Sequence, residues 1–128
     1  MNILFIHQNF PAQFKYLAPS LVSKGHKVKA LLINNIYRNT RTTVDFANSE
    51  QLPSSFKNVD LHYYNVDRAT NQNTHPWCRD FETKVIRAEG CYKASLMIRE
   101  DGFIPDLIIS HHGWGESMFV KDVWPNAV

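Results

Sequence analysis

Apolar residues recur in two rhythms, one continuous and one helical. Asn2-Ile3-Leu4-Phe5-Ile6-His7 holds an unbroken apolar run, which marks a strand buried on both faces, as parallel sheets require. After the turn Gln8-Asn9-Phe10-Pro11, the residues Phe14, Leu17, Ala18, Leu21 and Val22 fall at helical spacing and predict one apolar helix face. Lys24-Gly25 supplies a cation and a glycine suited to its end. Pro19 lies inside it and removes a backbone donor, so a kink or a restart of the helix is expected there. A second strand over 28–33 completes a strand–helix–strand unit.

The same alternation continues. Residues 34–58 are a polar loop of the length that tends to carry function, 59–64 a third strand, and 65–76 a second polar loop. The longest helix is expected over 77–101, with Phe81, Val85, Ala88, Tyr92, Ser95, Leu96 and Arg99 tracing its inner stripe and end. Gly90 in its middle costs about 1 kcal/mol against Ala, which close packing on the sheet would explain. Gly102 and Pro105 stop that helix. A fourth strand at 106–110, a turn His111-His112-Gly113-Trp114-Gly115 and a short helix over 116–123 follow. These elements predict an α/β fold: a Rossmann-like three-layer domain with a mainly parallel sheet of order 3-2-1-4. The rhythm leads next to a fifth strand, so the chain is expected to be truncated before a further strand, or the edge of strand four to pair with something else.

Composition narrows the function. One domain fits 128 residues. Fourteen Lys and Arg are scattered among twelve Asp and Glu, giving +2, which argues against nucleic acid as a partner. No apolar run approaches the roughly 20 residues of a membrane span, and the start lacks the basic lead of a signal peptide. Cys78 and Cys91, on one predicted helix, lie about 20 Å apart along its axis, beyond disulfide reach. A reduced, cytoplasmic protein is the expectation.

In open parallel sheets ligands bind beyond the carboxyl ends of the strands, at the switch in strand order. Order 3-2-1-4 puts that switch between strands one and four. The segment His7, Gln8, Asn9, Phe10 and the segment His111, His112, Gly113, Trp114, Gly115, Glu116 should therefore converge as a substrate-binding site. Their amide, imidazole and indole groups suit a neutral polyol and the apolar face of a sugar ring. A Gly-x-Gly-x-x-Gly fingerprint and a P-loop are both absent. His111 and His112 without a third ligand do not make a metal site. Each residue also has a structural reading: His7 as a turn cap, Gly113 and Gly115 as conformational glycines, Trp114 as packing, Glu116 as a helix-dipole acid. Arg38, Arg41 and Arg68 could meet an anionic acceptor or simply face solvent. Trp77 and Trp124 read as structural.

His7-Gln8-Asn9-Phe10-Pro11-Ala12-Gln13-Phe14, then Leu17-Ala18-Pro19 and Lys24-Gly25-His26, resembles the opening of the bacterial family 4 glycosyltransferases. Pro105 to Ser117, with His111-His112-Gly113-Trp114-Gly115-Glu116, looks like that family's fourth-strand segment. The resemblance implies a GT-B architecture in which residues 1–128 form the N-terminal, acceptor-side domain and a donor-binding C-terminal domain is missing. It implies a retaining, metal-independent hexosyltransferase without a cofactor, with a nucleotide-sugar as donor and a glycan or lipid as acceptor. The longer protein could associate peripherally with a membrane, and the isolated fragment should be inactive. The catalytic residues are not assigned. Gln8-Asn9-Phe10 stand where many relatives carry glycines, which leaves a non-catalytic Rossmann-like binding or assembly module as the alternative.

Overall fold

The structure is a computed structural model that describes residues 1–34 and 53–128. Strands β1 (Asn2–Ile6), β2 (Lys27–Ile33), β3 (Val59–Tyr64) and β4 (Leu107–Ser110) form one sheet of order β3-β2-β1-β4, with every pair parallel. Helices α1 (Leu17–Ser23), α2 (Arg79–Glu100) and α3 (Val120–Val123) cover it, with short 3-10 turns at Ala12–Phe14, Ser54–Phe56, Pro76–Cys78 and His112–Trp114.

β1 shows why its sequence carries no polar alternation. Ile3 and Phe5 point into the core beneath α1, with Phe14, Ala18, Val28 and Ala30. Leu4 and Ile6 point into the other core, with Leu31, Cys91, Ile98 and Val123. All four β1 side chains are at most 1% exposed, and each contributes about 1.5–3 kcal/mol by leaving water.

Several expectations change in detail. α1 restarts at Leu17, after a 3-10 turn that holds Phe14. Pro19 then falls in its first turn, where an amide has no intrahelical acceptor to lose. The stripe of α2 is rotated: Ile86, Ala88, Cys91, Ser95 and Ile98 are buried, whereas Phe81 is 62% exposed. The expected stripe spans two faces, because Tyr92 meets Phe119 edge-on at 6.4 Å and Arg99 donates to the Val123 carbonyl at 3.3 Å. The expected helix over 116–123 shrinks to α3, since Gly115 takes a left-handed φ of 89° and Glu116 is drawn into the core.

Gly90 is explained by close approach. A Cβ there would lie 2.3 Å from the Asn65 carbonyl oxygen and 3.1 Å from the Tyr64 ring, so glycine lets α2 settle onto the end of β3. The outer edge of β4 is partly paired: the Val128 amide donates to the Asp106 carbonyl at 3.0 Å, and the Ile108 amide donates to the Val128 carbonyl at 2.8 Å. Cys78 is exposed, Cys91 is buried, and both are free thiols. Among the described residues no helix is long and apolar enough to cross a membrane.

Candidate functional site

Because every strand runs the same way, the carboxyl ends of β1 and β4 open on one rim. The backbone carries each ladder one residue past its strand. The His7 amide donates to the Leu31 carbonyl at 3.1 Å, and the His111 amide donates to the Ile6 carbonyl at 3.4 Å. Their imidazoles meet edge to face with centroids 5.7 Å apart. The two distant segments therefore meet at one rim of the sheet. His7 is 5% exposed, and its Nδ1 accepts the Asn9 amide at 3.0 Å, so it does cap its turn. Burial lowers its pKa from the ordinary histidine value, and the neighbouring His111 lowers it further, which favours a neutral ring. His111 Nδ1 accepts the Gly113 amide at 3.2 Å. The His112 ring stacks on His111 at 5.7 Å, and Trp114 tilts against it at 6.1 Å.

Beneath this aromatic layer lies a buried acid. Glu116 is 1% exposed. Its Oε1 accepts the Tyr64 hydroxyl at 2.7 Å, and the main-chain amides of Gln8 and of Glu116 itself point at its carboxylate. Burial raises the Glu116 pKa above the ordinary carboxyl value, against the pull of Tyr64, Arg87 and those amides. Burial, reinforced by the Glu116 charge, likewise holds the Tyr64 hydroxyl and the Cys91 thiol protonated. One side chain thus joins the turn after β1, the end of β3 and the turn after β4. Its second oxygen is buried with no hydrogen-bond partner among the described residues.

The turn after β4 is also fastened to α2. A Cβ on Gly115 would lie 2.6 Å from Lys84 Cβ and 2.7 Å from the Lys84 carbonyl oxygen, so only glycine fits there in addition to its left-handed φ. The Arg87 guanidinium sits 5.6 Å over the Trp114 ring, a cation–π contact. A Cβ on Gly113 would crowd the His111 ring at 2.9 Å. His112, Gly113 and Trp114 face solvent, while Asn9 and His111 are half-buried. Phe10 is 2% exposed and meets Phe5 and Phe56, so it belongs to the core below the rim.

Other sequence readings divide. Arg38 and Arg41 lie outside the described residues. Arg68 pairs with Glu89 at 2.6 Å. Trp124 is buried at 3%, as a structural tryptophan should be, but Trp77 is 92% exposed. Tyr64, Lys84 and Arg87 join the site without any sequence signal beyond the carboxyl-end position of Tyr64. A cavity of about 600 Å³ opens at the opposite rim, between Asn2, His26, Lys29, Asp60 and Phe103. The topology rule and the convergent polar groups favour the histidine rim as the site.

No curated protein and no solved structure matches the chain. A family signature does: residues 37–128 match the Glycosyl transferase family 4 group. That stretch contains β3, α2, β4 and the whole turn from His111 to Glu116, and it leaves out the first 36 residues. A parallel sheet whose β4 turn carries the resemblance, together with a match over most of its length, identifies the chain as a member of the glycosyl transferase family 4 group.

Proposed function

We propose that the chain is the N-terminal, acceptor-side domain of a two-domain GT-B transferase. It works with a donor-binding partner domain and transfers a hexose from a nucleoside-diphosphate sugar to a glycan or lipid acceptor. Anomeric configuration is retained, no metal or cofactor takes part, and the protein acts in the cytoplasm, with peripheral membrane association where the acceptor is a lipid. The carrying observation is the meeting of the two turns, His7 against His111 at 5.7 Å. It puts imidazoles, main-chain groups and the half-exposed Trp114 at the mouth of a parallel sheet. His112, Gly113, Trp114 and Asn9 contact substrate. His7 and His111 shape the crevice, and Glu116 positions both turns. The turn after β1 is filled by its own buried side chains, His7, Gln8 and Phe10. Donor phosphates are therefore bound mainly by the partner domain.

The test is incubation of the longer gene product with a panel of nucleotide-sugars, following release of nucleoside diphosphate and the anomeric configuration of the product. Turnover of one donor with retention is expected. A protein that neither turns over nor is thermally stabilised by any donor is instead the binding or assembly module, a reading that the filled first turn favours.

A further inference from the structure

The face of α2 that meets the rim carries a cation whose hydrogen-bonding capacity is unused. Lys84 packs against Gly115, and the Glu116 charge helps to keep the Cys91 thiol protonated. Arg87 falls between Lys84 and Cys91 at helical spacing, and its guanidinium sits 5.6 Å over the Trp114 ring. The helix holds five cations: Arg79, Lys84, Arg87, Lys93 and Arg99. Four of them are bonded, Arg79 and Arg99 to main-chain carbonyls, Lys84 to Asp80 and Lys93 to Glu89. Among the described residues Arg87 makes neither a hydrogen bond nor an ion pair, although it is half-buried.

Glu116 attracts this charge but does not bind it. Its Oε1 accepts from Tyr64, its other oxygen has no partner among the described residues, and burial disfavours its ionised form. Arg87 therefore brings a positive charge without a bonded counter-ion to the candidate site. The cation–π contact holds a guanidinium through its face and leaves its in-plane N–H donors available. Those donors form a rigid fork that fits the paired oxygens of a phosphate or carboxylate. A neutral polyol offers hydroxyls to the fork but nothing to offset the charge. Trp114, 40% exposed beside it, supplies an apolar ring for the sugar that carries the anion.

We infer that Arg87 is a specificity-determining residue that binds an anionic group, a phosphate or a carboxylate, carried by the acceptor. It rests on the transferase reading for its purpose, while anion binding itself needs no donor. Glucose-6-phosphate, glucuronate, a short-chain phosphatidylglycerol below its micellar concentration, uridine diphosphate and glucose are titrated separately into the full chain. The Arg87 Nε–H and Trp114 indole N–H resonances are followed. At least one of the first three should move both signals and bind about tenfold or more tightly than glucose. The tighter of the soluble and lipid-borne anions identifies the source of the group. Arg87→Gln should remove the preference for the anion with unchanged thermal unfolding, and Arg87→Lys, which keeps the charge and loses the fork, should keep part of it. If Arg87→Gln does not fold, the Arg87 signal of the parent and the Arg87→Lys affinity decide. The inference is overturned if no anion moves the Arg87 signal or if Arg87→Gln keeps the full preference. It is equally overturned if uridine diphosphate alone binds, because Arg87 then serves the donor. Anion binding through Arg87 in a protein whose longer form turns over no donor would sink the transferase reading and keep the anion site. Donor turnover with an unresponsive Arg87 would do the reverse.

Discussion

Glu116 has the most to reveal about the rim, because its carboxyl is buried while it ties three segments together. Its raised pKa means that the folded chain holds this proton more tightly than the unfolded one. The associated stability is complete below the unfolded carboxyl pKa and is lost as pH rises through the higher folded value. Glu116→Gln keeps an acceptor for Tyr64 and removes the ionisation. Its unfolding temperature should therefore fall less than that of the parent as pH rises above the ordinary carboxyl range. Thermal unfolding scanned against pH checks this; parallel curves would contradict a buried titrating acid. Glu116→Leu strands the Tyr64 hydroxyl and should cost about 1–3 kcal/mol at low pH, where the parent carboxyl is protonated. Glu116 was visible in the sequence as part of a motif, but its role was not. A helix-dipole acid and a buried tie look alike until Tyr64, 52 residues away, is brought against it.

Helix α2 shows what a one-dimensional pattern conveys and what it loses. β1 was readable because burial on both faces leaves an unbroken apolar run, and β3 has the expected bounds of Val59 and Tyr64 although Asp60 and Tyr63 are exposed. The stripe of α2 was not, because the helix packs against both the sheet and the α3 region, and two apolar faces side by side read as one. Trp77 failed for a related reason. An indole in sequence suggests core, and only the structure shows Trp77 exposed in the 3-10 turn that precedes α2. Gly90 was read correctly, since a glycine inside a helix needs a neighbour that leaves no room for a methyl. Gly90→Ala gains about 1 kcal/mol of helix propensity but must displace the Asn65 backbone, at a typical overpacking cost of about 1–3 kcal/mol. Denaturant unfolding should show a net loss; a gain would mean that α2 can ride away from β3 freely.

The fold class and strand order were legible throughout, because alternating strands and helices with short turns admit few arrangements. The location of the candidate site follows from that topology, through the rule that ligands meet parallel sheets at their carboxyl ends. Which residues face the ligand did not follow, and Phe10 in the core is the clearest instance. On the two-domain reading, residues 1–128 alone should release no nucleoside diphosphate from any nucleotide-sugar in an assay where the longer protein does. Turnover by the chain alone would place the donor site within it.

The main-chain amides of both rim histidines are clamped into the sheet ladder, His7 to Leu31 and His111 to Ile6. The imidazoles are held as well, Nδ1 of each accepting a main-chain amide of its own turn, and their anchor points cannot drift without breaking the pairing at the centre of the sheet. On the proposed reading, an incoming sugar meets a doorway whose posts are already set, and any adjustment on binding falls to Trp114 and the helix behind it.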